Sequence, residues 1–390
     1  MRVLFLDQFS ELGGAQRCLA DLIPAALDRN WPVTVALPGE GPLAQLLRNW
    51  SVPVEFIPCG PYTPGRKTVG DAIRFAFDWR AQRQAISQLT VRHRPDVLYV
   101  NGPRLLPAAG DVSGTSPIIF HSHSYLSKWY DVALAGRQLR KSNLHVIASS
   151  RFVASPLLRY LDSKRIRIIY NGTPEIPFQP RVFPAGQLWR IGVIGRIAQE
   201  KGQLEFVQAV RILNDRGLSA EYAVHGASMF SSPAYFESVR AASAGLPIRF
   251  TGWHESVGPL LGELDLLVVP SPSLESTTRV VLEAYSAGTP VLAFATGGIP
   301  EVIRNGETGI LVERQTPEAL ADAISAATLQ PQALTPMAVA ARRQWEAEYT
   351  LTRYQAQVLD AIEEIGRASS TRNSSAAVST SPAAISNTGP

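Results

Sequence analysis

The chain has 390 residues, 45% of them hydrophobic and 18% charged, a globular composition too long for one ordinary core, so two α/β domains are expected. It has no run of roughly 18 apolar residues that would cross a membrane, and its two cysteines, Cys18 and Cys59, lack the spacing of a disulfide framework or a zinc site. The net charge of +4 is unevenly shared: residues 1–180 carry 21 Lys and Arg against 13 Asp and Glu, residues 181–390 carry 16 against 20, and the N-terminal half would therefore draw an anionic partner.

In chain order, Met1–Asp7 reads as a first strand, because Asp7 cuts its apolar run far below a signal-peptide core. Further β-branched and apolar runs follow Val3–Asp7 at Val33–Leu37, Val54–Pro58, Asp96–Asn101, Pro117–His121, His145–Ser149 and Ile166–Tyr170, with helical stretches between them. That alternation predicts a parallel sheet with crossover helices. The stretch 174–187 contains four prolines and little periodicity, as a linker would. The pattern restarts at Arg190–Gly195, Glu221–Gly226, Ile248–Trp253, Leu266–Pro270, Pro290–Ala295 and Thr308–Val312. After Leu320 the chain is helical to about Ile365, with Trp345, Tyr349, Tyr354, Val358 and Ile362 spaced for one buried face. From Arg367 onward Ser, Ala, Thr, Pro and Asn dominate, which predicts disorder. The organisation expected is thus an N-terminal domain 1–173, a linker 174–187, a C-terminal domain 188–345, a helix 346–366 and a disordered tail 367–390.

Several loops carry residues suited to chemistry. Gly13-Gly14 follows the first strand and opens a helix, where glycine lets the backbone approach a ligand closely. Asn101 ends one strand, placed either to reach an acceptor or to cap its loop. His121-Ser-His123 ends the next, at the strand ends where open α/β sheets place ligands. Arg66–Arg94 mixes Phe75, Phe77 and Trp79 with five arginines from Arg74 to Arg94, which suits an anionic membrane face or a lipid-linked diphosphate, or else a helix covering the sheet. Pro270 through Val291 reads as strand, loop and helix. Glu275 and Glu283 can hydrogen-bond two parts of one extended ligand, while Thr277, Thr278 and Arg279 lie where the free N–H groups of a helix start would meet a phosphate.

Glu275-x7-Glu283 followed by Ala-x3-Gly-x-Pro-Val strongly resembles glycosyltransferase family four, the group 1 enzymes of the GT-B fold. The resemblance implies two Rossmann-like domains facing each other across a cleft, with the C-terminal helix crossing back to the first. It implies a retaining, metal-independent hexosyl transfer without a cofactor, from a nucleotide diphosphate sugar held by the C-terminal domain to an acceptor held by the N-terminal one. Glu275 would meet the donor sugar and Glu283 the ribose. Gly192 to Gln203 looks like the family's Gly-Arg-x4-Lys-Gly element, whose cations, here Arg196 and Lys201, neutralise charge on the departing diphosphate. Gly13 and Gly14 resemble the loop that faces the donor phosphate, and His123, with His121 second, the histidine that contacts the transferred sugar; with His123 in that role, His121 would join Asn101 in meeting the acceptor. Gly226 and Trp253 fall where the family binds the base, although Trp253 also suits a core. The loop Ser276-Thr-Thr-Arg279 departs from the commoner Gly-Phe-Gly, so donor choice does not carry over.

These features together predict an enzyme of cell-surface polysaccharide or glycolipid synthesis. It would work in the cytoplasm and could touch the anionic inner membrane face through its basic N-terminal domain, with a nucleotide-sugar donor, a glycan or lipid-linked acceptor and no nucleic acid as partners. Two other readings stay open: a non-catalytic subunit that binds nucleotide sugar for a partner transferase, and a sugar-nucleotide epimerase on the same architecture.

Overall fold

The computed structural model describes residues 1–60, 69–112, 116–141, 143–179, 181–184, 186–228, 233–276 and 278–379. Strands β1 (Val3–Asp7), β2 (Val33–Leu37), β3 (Val54–Phe56), β4 (Val97–Asn101), β5 (Ile118–Ser122), β6 (Leu144–Ala148) and β7 (Ile166–Ile168) form one sheet in the order β3-β2-β1-β4-β5-β6-β7. Strands β8 (Trp189–Ile194), β9 (Ala220–His225), β10 (Ile248–Gly252), β11 (Leu266–Val269), β12 (Val291–Phe294) and β13 (Ile310–Val312) form a second, ordered β10-β9-β8-β11-β12-β13. The named strands of both sheets pair in parallel. Every residue of β1, β2, β4 and β5 is buried, because crossover helices cover both faces, and this is why these strands read as continuous apolar runs. The expected architecture of two α/β sheets is the one found.

Strand order reverses beside β1 in the first sheet and beside β8 in the second, so a crevice opens at the carboxyl ends of β1 and β4 and of β8 and β11. Of the residues singled out above for donor chemistry, Gly13 and Gly14 follow β1, Arg196 and Lys201 follow β8 and Glu275 to Glu283 follow β11, whereas Gly226 and Trp253 follow the neighbouring β9 and β10. The described residues of the segment 174–187 are pinned to the second domain: Ile176 N–H donates to Ser286 Oγ at 2.7 Å, Arg181 pairs with Asp265 at 3.1 Å, and Phe183 stacks on Trp189.

The C-terminal helices differ from the single buried face expected of them. One helix, Leu334–Glu348, ends before Tyr349, and a second, Leu351–Ser379, begins after Thr350. Trp345 and Tyr349 belong to the core of the second domain, whereas Tyr354, Val358 and Ile362 pack into the core of the first with Phe5 and Leu19. The crossing is fixed where Thr350 bridges Thr173, Trp345 Nε1–H donates to Thr173 Oγ1 at 2.9 Å, and Gly172 lies so close to Thr350 that a Cβ there would sit 2.6 Å from its carbonyl oxygen. The helix also continues to Ser379, so residues 367–379 are helical rather than disordered. Extending a helix already anchored by packing avoids the cost of nucleation, and no glycine or proline interrupts the chain between Arg367 and Ser379. Residues 380–390 of the expected tail lie outside the described ones. Among the described residues no helix is long and apolar enough to cross a membrane.

Candidate active site

Both domains line a cavity of about 580 Å³ between them, in the size range of small-molecule sites. Gly13, Gly14, Arg17 and His123 come from the first domain, and Arg196, Lys201, Gly226, Trp253, Glu275, Thr278, Arg279 and Glu283 from the second. Gly13 is extended, at φ −81° and ψ −176°, so what glycine contributes there is a bare backbone facing the cavity rather than an unusual conformation.

The second-domain wall is built by close backbone approaches. Gly202, at φ +71°, would place a Cβ 1.8 Å from Pro270 O, which seats the Arg196–Lys201 loop directly on the strand end that leads to Glu275. Buried Gln203 ties the loop down, donating to Arg196 O at 2.8 Å and accepting from Ala198 N–H at 3.2 Å. Lys201 Nζ thereby reaches Glu275 Oε2 at 2.5 Å, and Ser271 Oγ donates to the same oxygen at 3.2 Å. The Glu275 side chain is 11% exposed, so this pair is shielded yet open to the cavity. Leu274 just before it holds φ +38°, a strained value for a side-chain-bearing residue. Arg196 pairs with Glu200 at 2.5 Å.

The helix Arg279–Ala287 begins at Thr278, whose side chain makes no capping hydrogen bond and so leaves the first-turn N–H groups at the cavity wall without its cap, while Val281 N–H donates back to Thr278 O at 3.2 Å. Thr277 lies outside the described residues. Arg279, the first residue of that helix, lines the same cavity. Its guanidinium crosses the cleft to Asp21 at 2.7 Å and stands 3.7 Å from Glu283, because two part-buried carboxylates flank it. Burial raises the Glu283 carboxyl above its ordinary range, against the opposing pull of Arg279 and Arg17. Trp253 is 46% exposed on the cavity, which sets aside a core role, and the Arg17 guanidinium lies 6.0 Å from its ring centre across the cleft. Gly226, at φ +149°, packs against Gly195.

Asn101 and His121, expected to meet the acceptor, are off the cavity wall. Asn101 is 1% exposed and His121 fully buried, since both lie within the sheet, one layer behind His123. His121 hydrogen-bonds the Tyr99 hydroxyl through Nδ1 and stacks on His123, with ring centres 3.8 Å apart. Of the two histidines only His123 lines the cavity, and burial together with the nearby Arg279 pushes its pKa down to about 3, so it is neutral.

Some contributors escaped the sequence reading. Asp7, fully buried behind the Gly13 loop, anchors a polar network, and its carboxyl is pushed up to about 7 by burial. Gly297 and Gly298 support Glu275: Cβ atoms there would lie 1.9 Å from Glu275 O and 1.8 Å from Ser276 O, while Gly298 N–H donates to Glu275 O at 2.9 Å. A glycine pair directly after a predicted strand was the available signal.

A model described as Glycosyltransferase Family 4 matches residues 12–175, and one described as Glycosyl transferases group 1 matches residues 189–328. Among curated relatives, an alpha-D-kanosaminyltransferase of Streptomyces kanamyceticus is 30% identical over 176 residues, 44% of this chain and 45% of that one. A D-inositol 3-phosphate glycosyltransferase of Streptomyces griseus is 34% identical over 240 residues, 52% of this chain and 50% of that one. The matches thus span about half the length of these relatives. In three dimensions the chain is similar to Anabaena HepE solved with UDP-glucose, at a TM-score of 0.78 and 22% identity over 93% of this chain and 100% of that one. It is also similar to sucrose-phosphate synthase of Thermosynechococcus elongatus, at 0.76 and 18% identity over 94% and 100%.

Proposed function

Because the chain belongs to the family 4, group 1 glycosyltransferases and has their GT-B fold, we propose that it moves a hexose-type sugar from a nucleoside diphosphate sugar to a hydroxyl of a glycan, lipid-linked or small-molecule acceptor, with retention of configuration. One observation carries this reading: Arg196, the Lys201–Glu275 pair and the uncapped helix start at Thr278 meet on one wall of the interdomain cavity. As the bond from the anomeric carbon to the phosphate oxygen breaks, negative charge grows on the diphosphate. A guanidinium, an ammonium and peptide N–H groups fixed in place stabilise it with little reorganisation, in the role a metal ion plays elsewhere. The acceptor oxygen bonds to the anomeric carbon from the face the diphosphate leaves, and its proton passes to a diphosphate oxygen. Glu275 supports the electron-poor sugar. Trp253 and Gly226 receive the base, Glu283 the ribose, and Gly13 and Gly14 face the diphosphate from the other wall.

The donor is tested by a thermal-shift panel of UDP-, GDP- and ADP-sugars. At a hundredfold excess over Kd the right donor is expected to raise Tm by on the order of 5 °C, as binding to the folded state alone requires. No shift with any of them would overturn the reading. Anomer-resolved NMR of the product then tests retention. The alternatives separate in the same tubes: a binding-only subunit shifts Tm without product, and an epimerase converts donor when no acceptor is present.

For the acceptor side we propose contact with an anionic surface and a place at the inner membrane face, in polysaccharide or glycolipid synthesis. Helix Val69–His93 supports this, with Phe77 71% exposed beside exposed Ile73, Arg74, Arg80 and Arg83, while Ile86 and Leu89 on its other side enter the core. Binding to vesicles containing anionic phospholipid is expected at low ionic strength and should weaken severalfold by 0.5 M salt. Equal binding to neutral vesicles would contradict it.

A further inference from the structure

Behind the first-domain wall a buried chain of hydrogen bonds runs from the end of β1 through the end of β4 to His123. Asp7 Oδ1 accepts from Phe9 N–H at 2.9 Å and from Gln16 Nε2 at 2.8 Å, and its Oδ2 accepts from Asn101 Nδ2 at 2.5 Å. The second hydrogen of that amide points to Ala15 O at 3.2 Å. Two acceptors therefore fix which end of the Asn101 amide is nitrogen, and its Oδ1 faces His123 Nε2 at 2.7 Å. A carbonyl oxygen only accepts, so Nε2 must carry the hydrogen. Since the ring is neutral, Nδ1 is left as a bare lone pair, and it has no hydrogen-bond partner. A buried lone pair of this kind calls for a donor, and the ring that bears it lines the donor cavity.

We propose that Asp7 and Asn101 are positioning residues that hold His123 in its Nε2–H tautomer, which leaves Nδ1, shielded in this structure, as the acceptor for a hydroxyl of the bound sugar or of the attacking acceptor. The hydroxyl partner rests on the transfer activity proposed above; the tautomer does not. The logic is that of a carboxylate that orients an imidazole through its far nitrogen, here with an amide interposed. An amide transmits the direction of the hydrogen bond without lending the ring a full negative charge, which suits a histidine that stays neutral. It also explains why Asn101 is unavailable to the acceptor: both ends of its amide are occupied.

The test is ¹⁵N NMR of the histidine-labelled full chain at pH 8, with the His123 signals identified by their loss in His123→Gln. The wild type is expected to show a pyrrole-type Nε2 and a pyridine-type Nδ1. A pyrrole-type Nδ1, or averaged signals from two exchanging tautomers, would overturn the proposal, and this readout requires no activity. In Asp7→Asn the fixed acceptor for the Asn101 amide is lost, and the His123 signals should move toward averaged values. Transfer kcat should then fall about 10- to 100-fold, as for other groups that orient a working histidine, while nucleoside diphosphate affinity stays within twofold. A transfer rate within twofold of wild type in a folded Asp7→Asn protein would also overturn it. If the chain transfers sugar from none of the donors, the function proposed above fails while the wild-type ¹⁵N shifts still decide the tautomer.

Discussion

Alanine in place of Lys201 is expected to lower kcat/KM for transfer about 100- to 1,000-fold, the cost typical of removing one fixed group that stabilises transition-state charge. The ammonium lies 2.5 Å from Glu275 on a loop seated against Pro270, so it is already in place before the diphosphate charge develops. Glu275→Ala should cost a similar factor. The double variant should be only slightly worse than either single one, because the two side chains act as a unit and the loss of one leaves the other with its charge unmatched at a shielded wall. Steady-state kinetics with unchanged circular dichroism and Tm is the check, and near-normal rates in either single variant would remove these residues from the site.

The second large effect is expected from a methyl group. Gly297→Ala would set a Cβ 1.9 Å from the Glu275 carbonyl oxygen, at a residue whose φ of +57° already disfavours any side chain. The obstacle is backbone on both sides, so the Glu275 loop must move. Displacement of a reacting group by about 1 Å commonly costs on the order of 100-fold in rate. The strands β12 and β13 lie behind this loop in the core of the second domain, so the expected outcome is a folded protein that still binds nucleoside diphosphate but transfers about 100-fold more slowly. A variant with wild-type kcat would show that the loop position has no bearing on catalysis.

The strands were legible because their pattern is local. Fully buried parallel strands such as Val3–Asp7 and Val33–Leu37 are near-unbroken apolar runs, so the two sheets of seven and six strands could be read from the chain. Glu275, Lys201 and Arg196 were legible because they stand in Glu-x7-Glu and Gly-Arg-x4-Lys-Gly patterns that resemble the family's elements. Groups defined by packing were not. Asp7, Asn101 and His123 meet only because β1, β4 and β5 lie side by side, and nothing local distinguishes Asp7 from an ordinary strand end. Arg279 follows an apparent phosphate loop, yet its partner Asp21 is 258 residues away and on the other domain, so its turn across the cleft had no sequence signal. The apolar spacing from Trp345 to Ile362 is helical throughout and does not disclose that the chain changes cores at Thr350.

The central claim is that one wall of the cleft gathers the positive charge that meets a departing diphosphate. A crystal structure of the protein with the nucleoside diphosphate of whichever donor raises its Tm tests this most directly. The outer phosphate is expected within hydrogen-bond distance of both Arg196 and Lys201, with peptide N–H groups at the start of helix Arg279–Ala287 facing its oxygens. A diphosphate bound away from those three groups, or facing the Gly13 loop alone, would contradict it.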